Sequence, residues 1–369
     1  MGQIIKAAVV REAGAPMTLE ELVLEDPRDD EILVRLVATG ICHTDLVVAG
    51  GFTATPRPVV LGHEGAGVVE KIGAAVSKVA VGDHIVMSYD SCGECHNCAD
   101  HHQPYCSSFV PMNFLASRLD GTGTMTTPAG DAVNANFFGQ SSFATMALCR
   151  EANAVKVDPS VDLSLLGPLG CGIQTGAGTV MNALKLEEGS SFAVFGSGSV
   201  GMAAIMAAKI CGATTRIAVD LNEDRLAMAK ELGATHTFLA TSETLIEDIR
   251  STTGRGLSAA LDTTGLPPVI KQAVQTLAPR GTCAVLGAPM PGSEIAVDNL
   301  DFMTSGKRLM GVMLGESQPD TFIPHLIELW KAGSFPFDKL IRKYPFENIN
   351  DAVADTHAGT TIKPILTMG

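Results

Sequence analysis

Two sets of metal-ligating side chains stand out in this chain, one tight in sequence and one dispersed. Cys92, Cys95, Cys98 and Cys106 form a C-x2-C-x2-C-x7-C run. Four thiolates so close together wrap a single tetrahedral Zn²⁺, and a closed shell of four leaves no position for a substrate. The spacing therefore predicts a structural zinc in a lobe over residues 90–107. A disulfide cluster or unrelated surface thiols is the alternative, but four reactive thiols crowded into one short run are hard to explain without a metal. Cys42, His63 and Cys171 make the second set, each among glycines or small residues: Gly40-Ile41-Cys42-His43-Thr44-Asp45, Gly62-His63-Glu64-Gly65 and Gly170-Cys171-Gly172. Two cysteines and one histidine give three protein ligands and an open fourth position, the arrangement of a catalytic zinc. A lone Cys or His is more often a packed core residue, so this set gains weight only from what lies downstream.

Downstream lies Gly196-Ser197-Gly198-Ser199-Val200-Gly201, a G-x-G-x-x-G run. Alone it is weak evidence. Here it follows the apolar run Phe192–Phe195, which reads as a buried strand, and opens an Ala/Met/Ile-rich stretch, Met202 to Ile210, which reads as a helix. A second strand, Arg216–Val219, then ends in Asp220, at the distance a dinucleotide-binding fingerprint requires. Gly196, Gly198, Val200 and Gly201 would let the backbone approach a pyrophosphate resting on the helix N-terminus. Asp220 would take the adenosine ribose hydroxyls and repel a 2′-phosphate, which favours NAD over NADP.

With these motifs in view, the chain resembles the zinc-containing, medium-chain alcohol dehydrogenases along essentially its whole length. Gly62-His63-Glu64-Gly65-Ala66-Gly67-Val68-Val69 is similar to that family's zinc signature, and Val81–Val86, the four-cysteine lobe and the nucleotide fingerprint follow in the family's order. More narrowly, Gly167–Gly178 and Phe138–Ala144 resemble the bacterial aryl-alcohol (benzyl-alcohol) dehydrogenase branch. The resemblance implies two zinc ions per chain, one catalytic and one structural, and NAD-dependent, reversible oxidation of aromatic or allylic primary alcohols to aldehydes. Thr44 matches the hydroxyl that accepts the alcohol proton, and Asp45 the carboxylate that orients the His63 ring. Glu64 matches a carboxylate behind the zinc, with a salt-bridge role as the other reading. His43 and Lys363 match contacts to the cofactor pyrophosphate, and Arg225 a basic residue near the adenosine ribose. Val47 is a departure: animal relatives carry there a histidine that ends the proton relay, so here the relay must end through water or another group. The family also implies a homodimer or homotetramer, paired along the last strand of the nucleotide-binding sheet, Lys307–Leu314. Terpene alcohols of the geraniol type, short-chain alcohols and S-(hydroxymethyl)glutathione remain alternative substrates. A non-catalytic zinc- and nucleotide-binding relative is the remote alternative. Phe52, Tyr89, Phe137 and Phe138 lie near the metal motifs in sequence and read equally as an aromatic substrate wall or as core.

The elements that must position these residues are also legible. The resemblance implies an α/β chain: a GroES-like β-barrel catalytic domain over residues 1–172, a doubly wound Rossmann domain over 173–312, and a return to the catalytic domain over 313–369. The region 173–312 itself alternates strand and helix, with strands at Phe192–Phe195, Arg216–Val219, Thr237–Leu239, Ala259–Asp262, Cys283–Leu286 and Leu309–Met313, and helices including Asn222–Leu232 and Pro268–Leu277. Such alternation means a parallel sheet with helices on both faces. The site is expected in the cleft at the carboxyl ends of those strands. Residues 107–136, rich in Gly, Thr, Asn and Ser, read as an irregular surface excursion. At 369 residues two domains are expected, and 46% hydrophobic with 18% charged residues describes an ordinary soluble globule. A formal charge of −14 argues against nucleic acid and anionic membranes as partners. No membrane-spanning run and no secretory leader are read, and Cys149, Cys211 and Cys283 read as free packing thiols suited to the cytoplasm.

Overall fold

The computed structural model describes residues 2–289 and 292–369. The chain divides into two compact units. The first takes the residues up to Gly172 together with Gln318–His325 and Asp338–Gly369; the second takes Ile173–Ser317 and Leu326–Phe337. The expected boundary after residue 172 is thus where the division falls. The expected single return at 313 is corrected, because 313–317 and 326–337 pack with the second unit.

The first unit is built on a seven-stranded sheet. Its spatial order is Ala154–Lys156, His84–Met87, Gly65–Ile72, Glu31–Gly40, Lys363–Thr367 and Ile341–Pro345, with Met146–Arg150 also paired to Glu31–Gly40. Ile32, Val34 and Leu36 alternate along Glu31–Gly40 and meet Val69, Ile85, Met87 and Ala147 in one buried cluster. A period of two puts every second side chain on the same face, so this apolar set specifies the register. Lys363–Thr367 pairs antiparallel with Glu31–Gly40, with Ile365 opposite Gly40. That pairing brings the end of the chain beside the segment leading to Cys42. A second, five-stranded sheet includes Gln3–Val10 and Thr18–Leu24.

The segment 107–136 is more ordered than its composition suggested. It holds a helix, Phe109–Phe114, and two short strands, Met125–Thr126 and Ala132–Val133, which extend the five-stranded sheet from Thr18–Leu24. Phe109, Met112, Met125, Val133 and Ala135 are buried. The few apolar residues among the polar ones have no periodicity long enough to read, yet they find the core, and packing overrides composition.

The second unit is a six-stranded parallel sheet in the order His236–Leu239, Thr215–Asp220, Ser191–Phe195, Leu257–Asp262, Leu277–Val285, Arg308–Gly311. This is the doubly wound order, with the reversal at the central Ser191–Phe195 strand. All six predicted strands are present, with ends shifted by a few residues. The helix read as Asn222–Leu232 runs Glu223–Leu232, because Asn222 is its cap: the Asn222 Oδ1 accepts from the backbone N–H groups of Asp224 and Arg225 at 2.8 and 3.2 Å. The other predicted helix runs Pro267–Thr276, with proline in its first turn, where the missing N–H costs nothing. No helix among the described residues is long and apolar enough to cross a membrane.

Candidate active site

Cys42, His63 and Cys171 converge in the first unit. Their donor atoms lie within 4.8 Å of one another. Cys42 caps the helix His43–Ala49, and Asp45 is that helix's third residue. The capping geometry turns the Asp45 carboxylate back on the strand-to-helix turn. Its Oδ2 accepts from the Cys42 N–H at 2.9 Å, and its Oδ1 accepts from the Gly62 N–H at 3.1 Å. The same Oδ1 lies 2.8 Å from His63 Nδ1. A carboxylate facing Nδ1 keeps the proton there and leaves the Nε2 lone pair free. His63 Nε2 is buried and has no hydrogen-bond partner. A buried polar atom left without a partner is costly, and here it faces the two cysteine sulfurs. That is the donor set of a three-ligand zinc site, so the residues fit the metal. Burial would lower the His63 pKa, but Asp45 outweighs it and the net direction is up.

Glu64 and Lys363 form a buried ion pair beside this set, with the Lys363 Nζ 2.9 Å from each carboxylate oxygen. Lys363 also donates to the Ile41 carbonyl at 3.2 Å, and the Gly172 N–H donates to Glu64 Oε1 at 3.1 Å. The pair thus ties together the chain next to all three ligands. Burial pushes the Glu64 carboxyl up and Lys363 pulls it back, the net direction being up. For Lys363, burial lowers and Glu64 raises, and the net is again up. Lys363, read from the resemblance as a pyrophosphate contact, is 2% exposed, with its ammonium paired to Glu64. His43 is exposed on the first turn of its helix, Thr44 is half-buried with Oγ1 3.8 Å from Cys42 Sγ, and Val47 lies half-buried on the same helix.

The four aromatic residues read equally as substrate wall or as core fall in different places. Phe137 is fully buried and Phe138 is 5% exposed, and both pack on His63. Phe138 stacks on the imidazole at 4.5 Å and 26°, while Phe137 meets its edge at 5.6 Å and 80°. Phe109 and Phe114 complete the cluster. Tyr89 is buried against Phe109, and Phe52 is 56% exposed with no ring contact among the described residues. Of these four rings, Phe137 and Phe138 hold the histidine. Sequence reasoning also missed Gln140. Its Nε2 donates to the carbonyls of His63 and Ser88, both at 3.1 Å, and its Oε1 accepts from the Gly65 N–H at 3.0 Å. Nothing in its spacing marked it, although it lies inside the branch-like Phe138–Ala144 motif.

The four-cysteine lobe is assembled as expected. The four sulfurs lie within 4.8 Å of one another, with Cys92 and Cys98 Sγ 3.9 Å apart. Zn–S bonds of about 2.3 Å give a tetrahedron edge of about 3.8 Å, whereas a disulfide needs about 2.05 Å; all nine cysteines are free. Backbone N–H groups of Cys92, Cys95, Ser107 and Ser108 point at Cys106, Cys92, Cys95 and Cys106 sulfurs respectively, at 3.3–3.5 Å. Donors aimed at sulfur favour thiolate, and those from Ser107 and Cys98 pull Cys95 down to about 5.

In the second unit, Gly196 has φ +97°, and a Cβ there would strike Thr263, while one on Gly201 would strike the Gly196 carbonyl. Gly198, which caps the helix Ser199–Ile210, faces open space. One glycine makes the turn, one leaves room for a ligand and one lets helix and strand pack closely. Asp220 ends its strand with Oδ2 accepting from the Ser197 N–H at 2.6 Å and Oδ1 from the Asn222 N–H at 3.0 Å. Arg225, in the first turn of the next helix, has a buried Nε without a hydrogen-bond partner, and Val200 lies half-buried in the first turn of Ser199–Ile210. These residues form a cradle suited to a dinucleotide.

A zinc-ligand set, a closed thiolate lobe and a doubly wound nucleotide cradle on one chain define a zinc-dependent dehydrogenase, and sequence relatives agree. Residues 28–159 match the family described as alcohol dehydrogenase GroES-like domain, and residues 199–331 the family described as zinc-binding dehydrogenase. A geraniol dehydrogenase of Castellaniella defragrans is 45% identical over 363 residues, covering 98% of this chain and 97% of that protein. The crystal structure of a benzyl alcohol dehydrogenase from Acinetobacter calcoaceticus is 46% identical, with full coverage of both chains and a TM-score of 0.97. An alcohol dehydrogenase zinc-binding domain protein from Burkholderia ambifaria is 50% identical at TM-score 0.98, again over both whole chains. The chain belongs to the zinc-containing medium-chain alcohol dehydrogenases and is an oxidoreductase of alcohols.

Proposed function

We propose that this protein catalyses the reversible oxidation of benzylic primary alcohols to aldehydes, with NAD as hydride acceptor and two zinc ions per chain. The observation that carries the chemistry is the unpartnered, buried His63 Nε2 facing Cys42 and Cys171. A zinc ion held there would supply Lewis-acid polarisation of the alcohol oxygen, and NAD would supply the hydride acceptor. Cys42, His63 and Cys171 hold the metal, and Asp45 keeps the proton on His63 Nδ1. The Thr44 hydroxyl, on the turn after Cys42, receives the alcohol proton. Glu64 and Lys363 fix the backbone flanking the three ligands, so the donors are set before the reactants arrive. Cys92, Cys95, Cys98 and Cys106 hold the structural zinc.

The NAD preference rests on Asp220, whose carboxylate is fixed by Ser197 and Asn222 where a 2′-phosphate would have to sit. His43 supplies a contact to the cofactor pyrophosphate and Arg225 one near the adenosine ribose. The substrate class rests on similarity to a benzyl alcohol dehydrogenase and not on an aromatic wall. Allylic terpene alcohols are the second reading, favoured by similarity to a geraniol dehydrogenase. The chain works as a homodimer or a tetramer of dimers in the cytoplasm. Arg308–Gly311, at one edge of the six-stranded sheet, supplies the pairing edge. The test is kcat/KM with NAD and NADP across ethanol, hexanol, benzyl alcohol, cinnamyl alcohol and geraniol. Benzyl alcohol should lead; ethanol at or above it refutes the aryl reading, and a clear lead for geraniol moves the assignment to terpene alcohols.

A further inference from the structure

We infer that Phe138 is a positioning residue for the metal site: it fixes the plane of the His63 ring so that Nε2 points at the Cys42 and Cys171 sulfurs. The starting observation is its backbone. Phe138 has φ 51° and ψ 36°, left-handed and rare for a bulky side chain. It does not stand alone: Asn136, Gly139 and Ser141 also have positive φ, so the turn 136–141 is left-handed at four positions, three of them not glycine. Left-handed geometry costs a non-glycine residue roughly 1–2 kcal/mol, and such strain persists only where the surroundings over-determine it.

The surroundings do so. Ser141 Oγ accepts from the N–H groups of Asn136 and Phe137 at 2.8 and 2.9 Å and donates to the Val60 carbonyl at 2.7 Å. Asn153 Nδ2 donates to the Gly139 carbonyl at 3.1 Å. Gln140 holds the main chain just after His63, through the His63 carbonyl and the Gly65 N–H, and the Ser142 N–H donates to the Gly62 carbonyl just before it at 2.9 Å. The turn is therefore clamped to the same connection, between Val59–Val60 and Gly65–Ile72, that carries the ligand, and what it presents there is the face of Phe138.

The need for that face follows from the imidazole torsions. The second torsion of a histidine is broad, without sharp staggered wells. The Asp45 bond fixes Nδ1 but leaves the ring free to swing about that contact, and such a swing carries Nε2 away from the sulfurs. Phe138 on the face, at 4.5 Å, and Phe137 at the edge close off the swing. Asp45 thus sets the tautomer and Phe138 sets the plane. This extends the zinc-site reading above and rests on it.

The experiment compares the protein as purified with Phe138→Leu, which keeps apolar bulk but loses the ring, and with Phe109→Leu. Phe109 touches Phe138 in the same cluster, with centroids 6.3 Å apart, and makes no ring contact with His63. Zinc release to a chelator and the visible absorption of cobalt-substituted protein are read alongside thermal unfolding. Phe138→Leu should release the more labile zinc roughly tenfold faster or more, the usual scale for losing an outer support of a ligand, and shift the cobalt bands. The slower zinc should be unaffected. Phe109→Leu should lower stability yet keep the wild-type release rate and spectrum, and Phe138→Tyr should restore both. If Phe138→Leu does not fold, Phe138→Met, which fills irregular space without a ring, is read in the same way. An unchanged release rate and spectrum in the folded variant overturns the inference, as does an equal change in Phe109→Leu. Wild-type protein with only one zinc removes the metal-site reading itself, and the inference falls with it.

Discussion

Asp45→Asn tests how the site is held, because it changes one atom in a group that is fully buried. The carboxylate receives three N–H groups: Cys42 on Oδ2, and Gly62 and His63 Nδ1 on Oδ1. An asparagine has one acceptor oxygen. Placed where Oδ1 stands, it keeps Gly62 and His63 but turns its NH₂ against the Cys42 N–H. Placed where Oδ2 stands, it keeps Cys42 but presents NH₂ to the Gly62 N–H and to His63 Nδ1. That moves the imidazole proton to Nε2, the atom that must donate to the metal. Hydrogen bonds to a charged partner contribute about 1.5–3 kcal/mol, and an unsatisfied buried donor costs about 1–3 kcal/mol. Either arrangement should therefore cost about 2–4 kcal/mol, shared between folding and metal binding. Losing an outer partner of a ligand histidine typically weakens metal binding 10–100-fold, which is about 1.4–2.7 kcal/mol. The assay is zinc affinity by competition with a chelator, together with the denaturant midpoint of the zinc-loaded protein. Asp162→Asn, on an exposed capping carboxylate, serves as the control and should leave zinc affinity unchanged. If Asp45→Asn retains wild-type affinity and midpoint, the three-bond argument is wrong.

Other outcomes follow from the same geometry. Cys98→Ala should lose one zinc and a large part of the stability, since a structural metal contributes folding energy; Cys171→Ala should abolish turnover while circular dichroism and the structural zinc persist. Asp220→Ser should weaken NAD and narrow its advantage over NADP in kcat/KM, and comparable kcat/KM of the wild type for both cofactors would refute the role of Asp220. Glu151 should contribute to acid stability. Burial would raise its carboxyl, but the N–H groups of Lys78 and Ser77 outweigh this and hold it below the usual 4.5. A carboxylate held down in the folded state stabilises above its unfolded pKa, and that stability fades as pH falls through the lowered value. Glu151→Gln should therefore flatten the loss of stability below about pH 4.5, read from unfolding midpoints against pH; an unchanged acid limb would dismiss the effect.

Much of this protein is determined locally, and that part was legible in the sequence. The Cys92–Cys106 spacing is short enough that loop geometry alone gathers four sulfurs. The strand-turn-helix around Gly196–Gly201 depends on Gly196 and Gly201, where any Cβ would clash, and Asn222 caps its helix from within its own turn. These are short-range constraints, so residue type and spacing suffice. Cys42, His63 and Cys171 were legible through their glycine settings and a family resemblance, but their convergence depends on strand pairing across more than a hundred residues. What only tertiary structure decided lies between segments. Lys363 belongs to Glu64 because Lys363–Thr367 pairs beside Glu31–Gly40, a contact that no local pattern encodes. Phe137 and Phe138 pack on the imidazole because a left-handed turn aims them there. The polar segment 107–136 became ordered because a handful of apolar side chains met a core supplied by distant strands. Burial and pairing between distant segments are set by the whole packed unit, and that is why sequence named the ligands while the fold named what holds them.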